Sequence, residues 1–272
     1  MLKDLGLSPR KALGQHFLTS RTALSCILSA AEIVPAIPVI EIGPGLGILT
    51  TGLAQLGARV HAIELDEEMA LALDRLFGSN QNVSIVQADA RHIEIDEIVS
   101  SDEEYIVVAN LPYYAARFII RRFLESHHPP KRMVVTVQRE VAQEMIGRSG
   151  RLSLLSISIQ FYARARMVTL IPPGAFYPSP KVTSGVIRLD VKPDPFLSRA
   201  HREAFFTLVR AGFNSPRKQL RGAVSHALDR PPDSVAALLK EGGVDATRRA
   251  ETLSIEEWVQ LYRVFEGIGW LS

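Results

Sequence analysis

Apolar runs of strand length alternate with helical patterns between residues 39 and 137 of this sequence. Several runs are rich in β-branched residues, as in Ile106-Val107-Val108, which suits strands buried on both faces better than amphipathic helices. Such an alternation is typical of βαβ units and of a parallel sheet covered by helices. The strands that the pattern predicts are 39–43, 59–64, 83–87, 105–109 and 132–138.

Two further apolar runs, 167–171 and 185–191, follow a helical stretch and are separated by the Pro-rich segment 172–180. They predict an antiparallel pair that closes one edge of the sheet. We therefore expect an α/β fold with a Rossmann-like sheet, mostly parallel with an antiparallel edge.

A second boundary is predicted at Lys192-Pro193-Asp194-Pro195, because apolar residues recur only at helical spacing beyond it. The helical stretches predicted there are 200–212, 234–240 and 255–266. The sequence thus predicts a larger domain over residues 1–192 and a small helical domain over residues 193–272.

The composition of the chain indicates the kind of protein and its cellular compartment. The chain has 272 residues, 47% of them hydrophobic, and can bury a sizeable core. Cys26 is the only cysteine, and no Cys/His cluster has the spacing of zinc ligands, which favours an intracellular protein without a metal. No apolar run resembles a signal peptide or reaches the roughly 18 residues that span a bilayer. We therefore expect a cytoplasmic protein.

The net charge of +2 averages over segments of opposite sign. Residues 61–104 hold twelve acids and two bases, whereas residues 131–166 hold seven bases and two acids. Residues 199–221 hold six bases and the single acid Glu203. These two basic segments could bind a polyanion. A solvated helix face explains either segment alone equally well.

A Gly-rich turn, Gly43-Pro44-Gly45-Leu46-Gly47, leads from the first predicted strand into a helix that begins near Ile48. Its Gly-x-Gly-x-Gly spacing differs from the Gly-x-Gly-x-x-Gly of dinucleotide sites. Pro44 also removes an amide that a pyrophosphate would use as a hydrogen-bond donor. The turn therefore indicates a ligand without a pyrophosphate, although packing alone can also produce such turns.

Two acids follow the next strands. Glu64 ends the second predicted strand, where a carboxylate can accept hydrogen bonds from both ribose hydroxyls of an adenosine, and Asp89 follows the third. Capping of the following helix explains either acid alone, but it explains the set with Gly43 poorly. An adenosine cofactor without a pyrophosphate indicates S-adenosylmethionine.

The loop Asn110-Leu111-Pro112-Tyr113 follows the fourth predicted strand and contains the most specific motif in the chain. An exocyclic amine such as adenine N6 is barely nucleophilic, so methylating it requires hydrogen-bond acceptors and not a strong base. The Asn110 side-chain oxygen and the Leu111 carbonyl can accept its two N–H groups, while Pro112 fixes the direction of that carbonyl. Tyr113 can stack on the base, with Phe176 as a second aromatic wall. Asn-Leu-Pro alone is also typical of an ordinary turn at the end of a strand. Its position beside the predicted cofactor site favours a catalytic role for the loop.

These residues resemble the ribosomal RNA adenine N6,N6-dimethyltransferase family nearly from end to end. The stretches that carry the resemblance, besides the Asn110 loop, are 11–18 (Lys-Ala-Leu-Gly-Gln-His-Phe-Leu), 176–184 (Phe-Tyr-Pro-Ser-Pro-Lys-Val-Thr-Ser), 210–213, 217–220 and 249–254. The last three are similar to the small-subunit enzymes and not to the large-subunit antibiotic-resistance methylases.

The resemblance implies an enzyme that uses S-adenosylmethionine to dimethylate two adjacent adenines of 16S rRNA in an assembling small subunit, as a monomer. The cofactor-binding residues that it implies are Gln15, His16, Leu18, Gly43, Gly45, Glu64, Leu65, Asp89, Ala90 and Asn110. It places Phe176 at the target base, and the residues that it implies for contact with rRNA are Lys181, Arg217, Lys218 and Arg221.

Three positions depart from the family pattern. Relatives often carry Asn at the position of His16, usually Tyr at that of Ser149 and usually Arg at that of Pro216. The last two affect expected rRNA contacts and not the reaction.

Two alternatives remain open at the level of the sequence. Asn-Pro-Pro-Tyr loops in similar sheets methylate protein glutamine amides, although Leu111 and the basic segment 199–221 argue against that substrate. A non-catalytic RNA-binding assembly factor can also retain the fold, although the intact Asn110 loop disfavours it.

Overall fold

The computed structural model describes residues 9–10, 14–148, 150–193 and 195–271. The strands within these ranges are β1 (Phe17–Leu18), β2 (Pro38–Ile42), β3 (Arg59–Glu64), β4 (Val83–Gln87), β5 (Ile106–Asn110), β6 (Arg132–Gln138), β7 (Ala163–Ile171), β8 (Phe176–Tyr177) and β9 (Ser184–Val191). The α-helices are α1 (Arg21–Ala31), α2 (Ile48–Gln55), α3 (Glu67–Phe77), α4 (Ala116–Glu125), α5 (Arg139–Ile146), α6 (Leu154–Tyr162), α7 (Arg199–Phe213), α8 (Leu220–Leu228), α9 (Pro232–Glu241) and α10 (Ile255–Glu266).

Seven strands form one mixed sheet in the order β4-β3-β2-β5-β6-β9-β7. The five strands from β2 to β6 run parallel to one another. By contrast, β9 is antiparallel to both β6 and β7. The predicted α/β sheet, mostly parallel with an antiparallel edge, is confirmed.

All seven predicted strands are present, and six of them match the structure to within one residue at each end. The prediction for β7 is wrong by four residues, because the strand begins at Ala163 and not at residue 167. Its first part, Ala163–Arg166, pairs with β9 but carries exposed or half-buried arginines. An edge strand can keep one face in solvent, so this part lacks the apolar run that marks a buried strand.

The described chain divides into two compact units. One contains the residues up to Gln143 together with Ala163–Lys192, and the other contains Glu144–Tyr162 together with the residues from Pro193 onward. The predicted division at residue 193 therefore needs one correction, since Glu144–Tyr162 groups with the helical unit. Phe161 in this segment is fully buried, and its ring lies 5.0 Å from that of Phe205 on α7.

The helical unit is held together by buried aromatic side chains. Trp258, Tyr262 and Phe265 of α10 are all at most 1% exposed. This helix begins at a capping box between Ser254 and Glu257, in which each side chain accepts a hydrogen bond from the other residue's backbone amide.

In the residues that the structure describes, no helix is both long enough and apolar enough to cross a bilayer.

A second, two-stranded sheet joins β1 to β8. Phe17 lies opposite Tyr177, and Leu18 lies opposite Phe176. Strands of two residues have no alternation that a sequence pattern can reveal, and this pair was not predicted. It fixes the segment before α1 beside the segment after β7.

Candidate active site

A cavity lies at the edge of the sheet where the parallel strands β2, β3, β4 and β5 end. This edge is the usual ligand site of an open α/β sheet. The predicted site residues that line it are Gln15, His16, Leu18, Gly43, Gly45, Glu64, Leu65, Asp89, Ala90, Asn110, Leu111, Pro112 and Tyr113. The structure thus brings the predicted cofactor residues and the Asn110 loop together in one cavity.

The Gly-rich turn has three residues in the left-handed region, with φ values of 68° at Gly43, 56° at Gly45 and 74° at Gly47. Side chains other than glycine are strained at such angles. A Cβ at Gly45 would also lie only 2.7 Å from the ring of Phe17. Glycine is therefore required both by the backbone path of the turn and by the packing behind it.

Glu64 ends β3 with its carboxylate in the cavity and only 6% of the residue exposed. One carboxylate oxygen accepts a hydrogen bond from the Asp66 amide at 2.9 Å. Burial raises the pKa of Glu64 above its ordinary value. The following helix, α3, is capped by Asp66 and not by Glu64, because the Asp66 side chain accepts from the amides of Glu68 and Met69. Glu64 is therefore left to face the cavity.

Glu41 also lines the cavity, although the sequence analysis did not select it. Its Oε2 accepts a hydrogen bond from the Thr50 hydroxyl at 2.6 Å, and its Oε1 is buried without a partner among the described residues. Burial raises the pKa of Glu41 to about 8. An acid inside a strand of apolar residues was the sequence signal that could have identified it, since buried carboxylates are rare without a partner.

Asp89 follows β4, and the side chain of Arg91 binds its carboxylate. The Arg91 Nε and one terminal nitrogen donate to the two oxygens at 2.6 to 3.0 Å. This pairing holds the pKa of Asp89 below its ordinary value, so the carboxylate is ionised near neutral pH. Arg91 lines the cavity too, and the sequence analysis did not anticipate it.

Asn110 closes the cavity at the end of β5. Its side-chain Nδ2 donates a hydrogen bond to the His16 backbone carbonyl at 2.8 Å. The His16 ring is stacked on Tyr113 with centroids 5.8 Å apart, and its Nδ1 lies 2.6 Å from the Pro178 carbonyl oxygen. The segment before β1 therefore orients both the amide of Asn110 and the ring of Tyr113.

The remainder of the loop is fixed by main-chain and hydroxyl contacts. The Leu111 amide donates to Thr136 on β6 at 3.2 Å. The Pro112 carbonyl accepts from two amides at the start of α4, whereas none of the hydrogen bonds recorded between described residues uses the Leu111 carbonyl. The Tyr113 hydroxyl lies 2.8 Å from that of Ser184. The loop thus presents a carbonyl oxygen and an anchored aromatic ring beside Asn110.

Phe176 is not where the sequence analysis placed it. It is 4% exposed, packs in the hydrophobic core with Leu18 and does not line the cavity. Successive side chains alternate between the two faces of a strand, so Phe176 and Tyr177 point in opposite directions. Phe176 points into the core, and the next residue, Tyr177, is 57% exposed.

The predicted rRNA-contacting residues are all exposed but lie in different elements. Lys181 follows β8, Arg217 and Lys218 lie between α7 and α8, and Arg221 belongs to α8. The first three residues of the stretch 11–18 and the departure at Ser149 lie outside the described residues.

Comparisons with known proteins agree with this geometry. The sequence matches the family described as ribosomal RNA adenine dimethylase over residues 6–266. The ribosomal RNA small subunit methyltransferase A of Dehalococcoides mccartyi is 41% identical over 97% of this chain and 91% of its own length. The protein of that name from Bacillus pumilus is 37% identical over 98% of this chain and 94% of its own length.

Solved structures show the same fold. The 23S rRNA methyltransferase ErmE matches with a TM-score of 0.74 and 27% identity, covering 92% of this chain and 99% of its own. A dimethyladenosine transferase from Plasmodium falciparum matches with a TM-score of 0.81 and 24% identity, covering 93% of this chain and 98% of its own. The resemblance inferred from the sequence motifs is confirmed, and the chain belongs to the ribosomal RNA adenine dimethylase family.

Proposed function

We propose that this chain dimethylates the N6 amines of two adjacent adenines in 16S rRNA while the small ribosomal subunit is being assembled. Family membership makes it an rRNA methyltransferase that uses S-adenosylmethionine. The observation that carries the chemistry is the hydrogen bond from Asn110 Nδ2 to the His16 carbonyl. Because the amide nitrogen is engaged there, the Asn110 Oδ1 remains an acceptor for the substrate amine.

The cavity residues fit S-adenosylmethionine. The ligand carries a ribose with two hydroxyls, and the carboxylate of Glu64, which lines the cavity, can accept their hydrogen bonds. Gly43 and Gly45 would let the ligand approach the backbone closely, and Asp89 would serve as a further acceptor. When bound, S-adenosylmethionine supplies a methyl group that its sulfonium charge makes electrophilic.

Two fixed acceptors would activate the amine. The lone pair of adenine N6 is delocalised into the ring, so the amine must become more tetrahedral before it can attack a methyl group. The Asn110 Oδ1 and the Leu111 carbonyl would accept its two N–H groups and aim the lone pair at the methyl group. Fixed polar groups of this kind contribute about 100-fold to 1,000-fold to a rate in other enzymes.

Tyr113 would hold the extracted base. Its hydroxyl is anchored to Ser184, and one side of its ring is stacked on His16. Stacking of one base on an aromatic ring contributes about 1–3 kcal/mol, which helps to offset the cost of removing the adenine from its RNA stack.

Exposed basic residues in each of the two units support contacts with the rRNA backbone. We assign phosphate contacts to Lys181 and to the three residues of the helical unit, Arg217, Lys218 and Arg221. The helical unit would then serve in rRNA recognition. We expect the protein to act as a monomer in the cytoplasm.

The proposal is tested by supplying labelled S-adenosylmethionine and small subunits that lack the modification. We expect label in the rRNA of immature small subunits and none in large subunits or in release factors. The Asn110→Ala variant, which should still bind the cofactor, is the control. Cofactor binding by the wild-type protein without transfer to small subunits would refute the proposal.

A further inference from the structure

Two large aromatic side chains are exposed at the mouth of the active-site cavity. Tyr114 is 58% exposed and Phe118 is 54% exposed. Leaving such rings in water forgoes the stabilisation that burial would give. His92 is exposed as well, and its ring lies 6.5 Å from that of Phe118; we call Tyr114, Phe118 and His92 the aromatic patch.

The aromatic patch is held in place by contacts between α4 and the loop after β4. The rings of His92 and Phe118 lie 6.5 Å apart at an angle of 53°. Arg122 of α4 donates to the Ile93 carbonyl and pairs with Glu94 at 3.2 Å. Rings that are ordered in advance lose less entropy when a ligand stacks on them.

The aromatic patch is continuous with the catalytic cavity. Tyr114 itself lines the cavity, and so does Ile119, the residue after Phe118. Arg91 lines the cavity as well; its hydrogen bond with Asp89 raises the pKa of Arg91, and the Tyr114 hydroxyl adds a smaller electrostatic contribution. A strand that places one nucleotide in the cavity would therefore meet these rings with its neighbouring nucleotides.

The charge around the aromatic patch selects the kind of partner. The helix α4 carries Arg117, Arg121 and Arg122, of which Arg121 pairs with Glu125 and Arg122 pairs with Glu94 in the loop that carries His92. Aromatic rings next to arginines are the combination that binds single-stranded nucleic acids, because every base can stack and the backbone is anionic. An apolar protein partner would favour a surface with fewer charges.

We propose that the aromatic patch of Tyr114, Phe118 and His92 stacks on unpaired rRNA bases beside the target adenine. The inference rests on the proposed function, which brings rRNA to this cavity. It adds a surface that holds the neighbouring nucleotides while one adenine occupies the cavity.

The test measures binding of a short single-stranded oligoadenylate that carries the fluorescent base 2-aminopurine, whose emission falls when it stacks. The variants are Phe118→Ala and His92→Ala, because neither side chain lines the cavity. Phe118→Tyr retains an aromatic ring. Leu71→Ala is the matched control, since Leu71 on α3 is also 54% exposed. Cofactor affinity is measured by calorimetry on every variant, and KM and kcat are measured with immature small subunits.

We expect Phe118→Ala to weaken oligonucleotide binding by about 5-fold to 150-fold, the range for loss of one stacked base, and to reduce the quenching. KM for small subunits should rise while kcat and cofactor affinity change little, and Phe118→Tyr and Leu71→Ala should resemble the wild type. Unchanged RNA affinity in Phe118→Ala, or weaker binding of the cofactor alone, would overturn the inference. The oligonucleotide measurement needs no methyl transfer, so failure of the proposed function would show separately, as absent transfer to small subunits.

Discussion

The side-chain amide of Asn110 donates to the backbone carbonyl of His16 at 2.8 Å, across 94 residues of sequence. This contact determines which end of the amide faces His16 and leaves the oxygen for the substrate. The segment that contains His16 therefore orients Asn110, in addition to lining the cavity.

Replacing Asn110 with aspartate tests that relationship with almost no change in shape. A carboxylate cannot donate to the His16 carbonyl, and its oxygen would be repelled by it. We expect Asn110→Asp to lower the single-turnover rate of methyl transfer by about 100-fold or more. Calorimetry should show that the cofactor still binds, and Asn214→Asp at an exposed position is the control. An Asn110→Asp variant as fast as the wild type would contradict the assigned orientation.

The buried carboxyl of Glu41 should make stability depend on pH. Burial raises its pKa from 4.5 to about 8, so the folded protein keeps a proton that the unfolded chain releases above about pH 4.5. The free energy of unfolding should therefore fall as pH rises from about 4.5 to about 8, by up to about 1.4 kcal/mol per pH unit. Urea unfolding of the cofactor-free protein across this window measures the slope, and Glu41→Gln should make it shallower. An unaltered slope in the variant would mean that Glu41 is already ionised in the folded state.

An ion-pair cluster around Arg188 should stabilise the α/β unit. Arg188 is 7% exposed, donates to Asp190 at 2.9 Å and donates to the Ala30 carbonyl near the end of α1 at 3.0 Å. Glu32 and Asp190 are 57% and 36% exposed and keep Arg132 as a partner, so the main loss without Arg188 is the buried hydrogen bond to the Ala30 carbonyl, which typically costs about 1–3 kcal/mol. We expect Arg188→Met to lower the free energy of unfolding by that amount in urea.

The matched control is Arg121→Met, because Arg121 forms an exposed pair with Glu125 on α4. Exposed pairs contribute only about 0–1 kcal/mol. Equal losses in the two variants would contradict a special role for the Arg188 cluster.

The exposed residues Arg217 and Lys218 should bind rRNA through its phosphates. Each phosphate contact releases counterions, so losing one should reduce the slope of log K against log salt by about 0.7–0.9. We therefore expect Lys218→Ala to lower both the affinity for immature small subunits and that slope. Lys240→Ala, an exposed change on α9, is the control. If the two variants give the same slope, Lys218 contacts no phosphate.

Most of the fold could be predicted from the sequence because the parallel strands are buried on both faces. Runs rich in β-branched residues, such as Ile106–Val108 and Val39–Ile42 with its single acid Glu41, have few alternative structures. The edge strand β7 was predicted too short, because Arg164 and Arg166 break its apolar pattern. The grouping of Glu144–Tyr162 with the helical unit depends on long-range contacts of Phe161, which periodicity does not reveal.

Site residues in the Gly-rich turn and the Asn110 loop could be identified because each follows a predicted strand. Contacts between distant segments could not be predicted, and one of them is the packing of Phe176 in the core with Leu18. Glu41 was missed because its position in a buried strand looks structural, and only the structure shows that it lines the cavity and that its Oε1 has no partner among the described residues.

Mapping of the methylated nucleotides tests the central claim most directly. Unmodified small subunits would be incubated with the purified protein and S-adenosylmethionine, and their rRNA would be digested and examined by mass spectrometry. We expect two methyl groups on N6 of each of two adjacent adenines in 16S rRNA, and their absence when Asn110→Ala replaces the wild type. Methylation at another nucleotide or on a protein, or full dimethylation by Asn110→Ala, would contradict it.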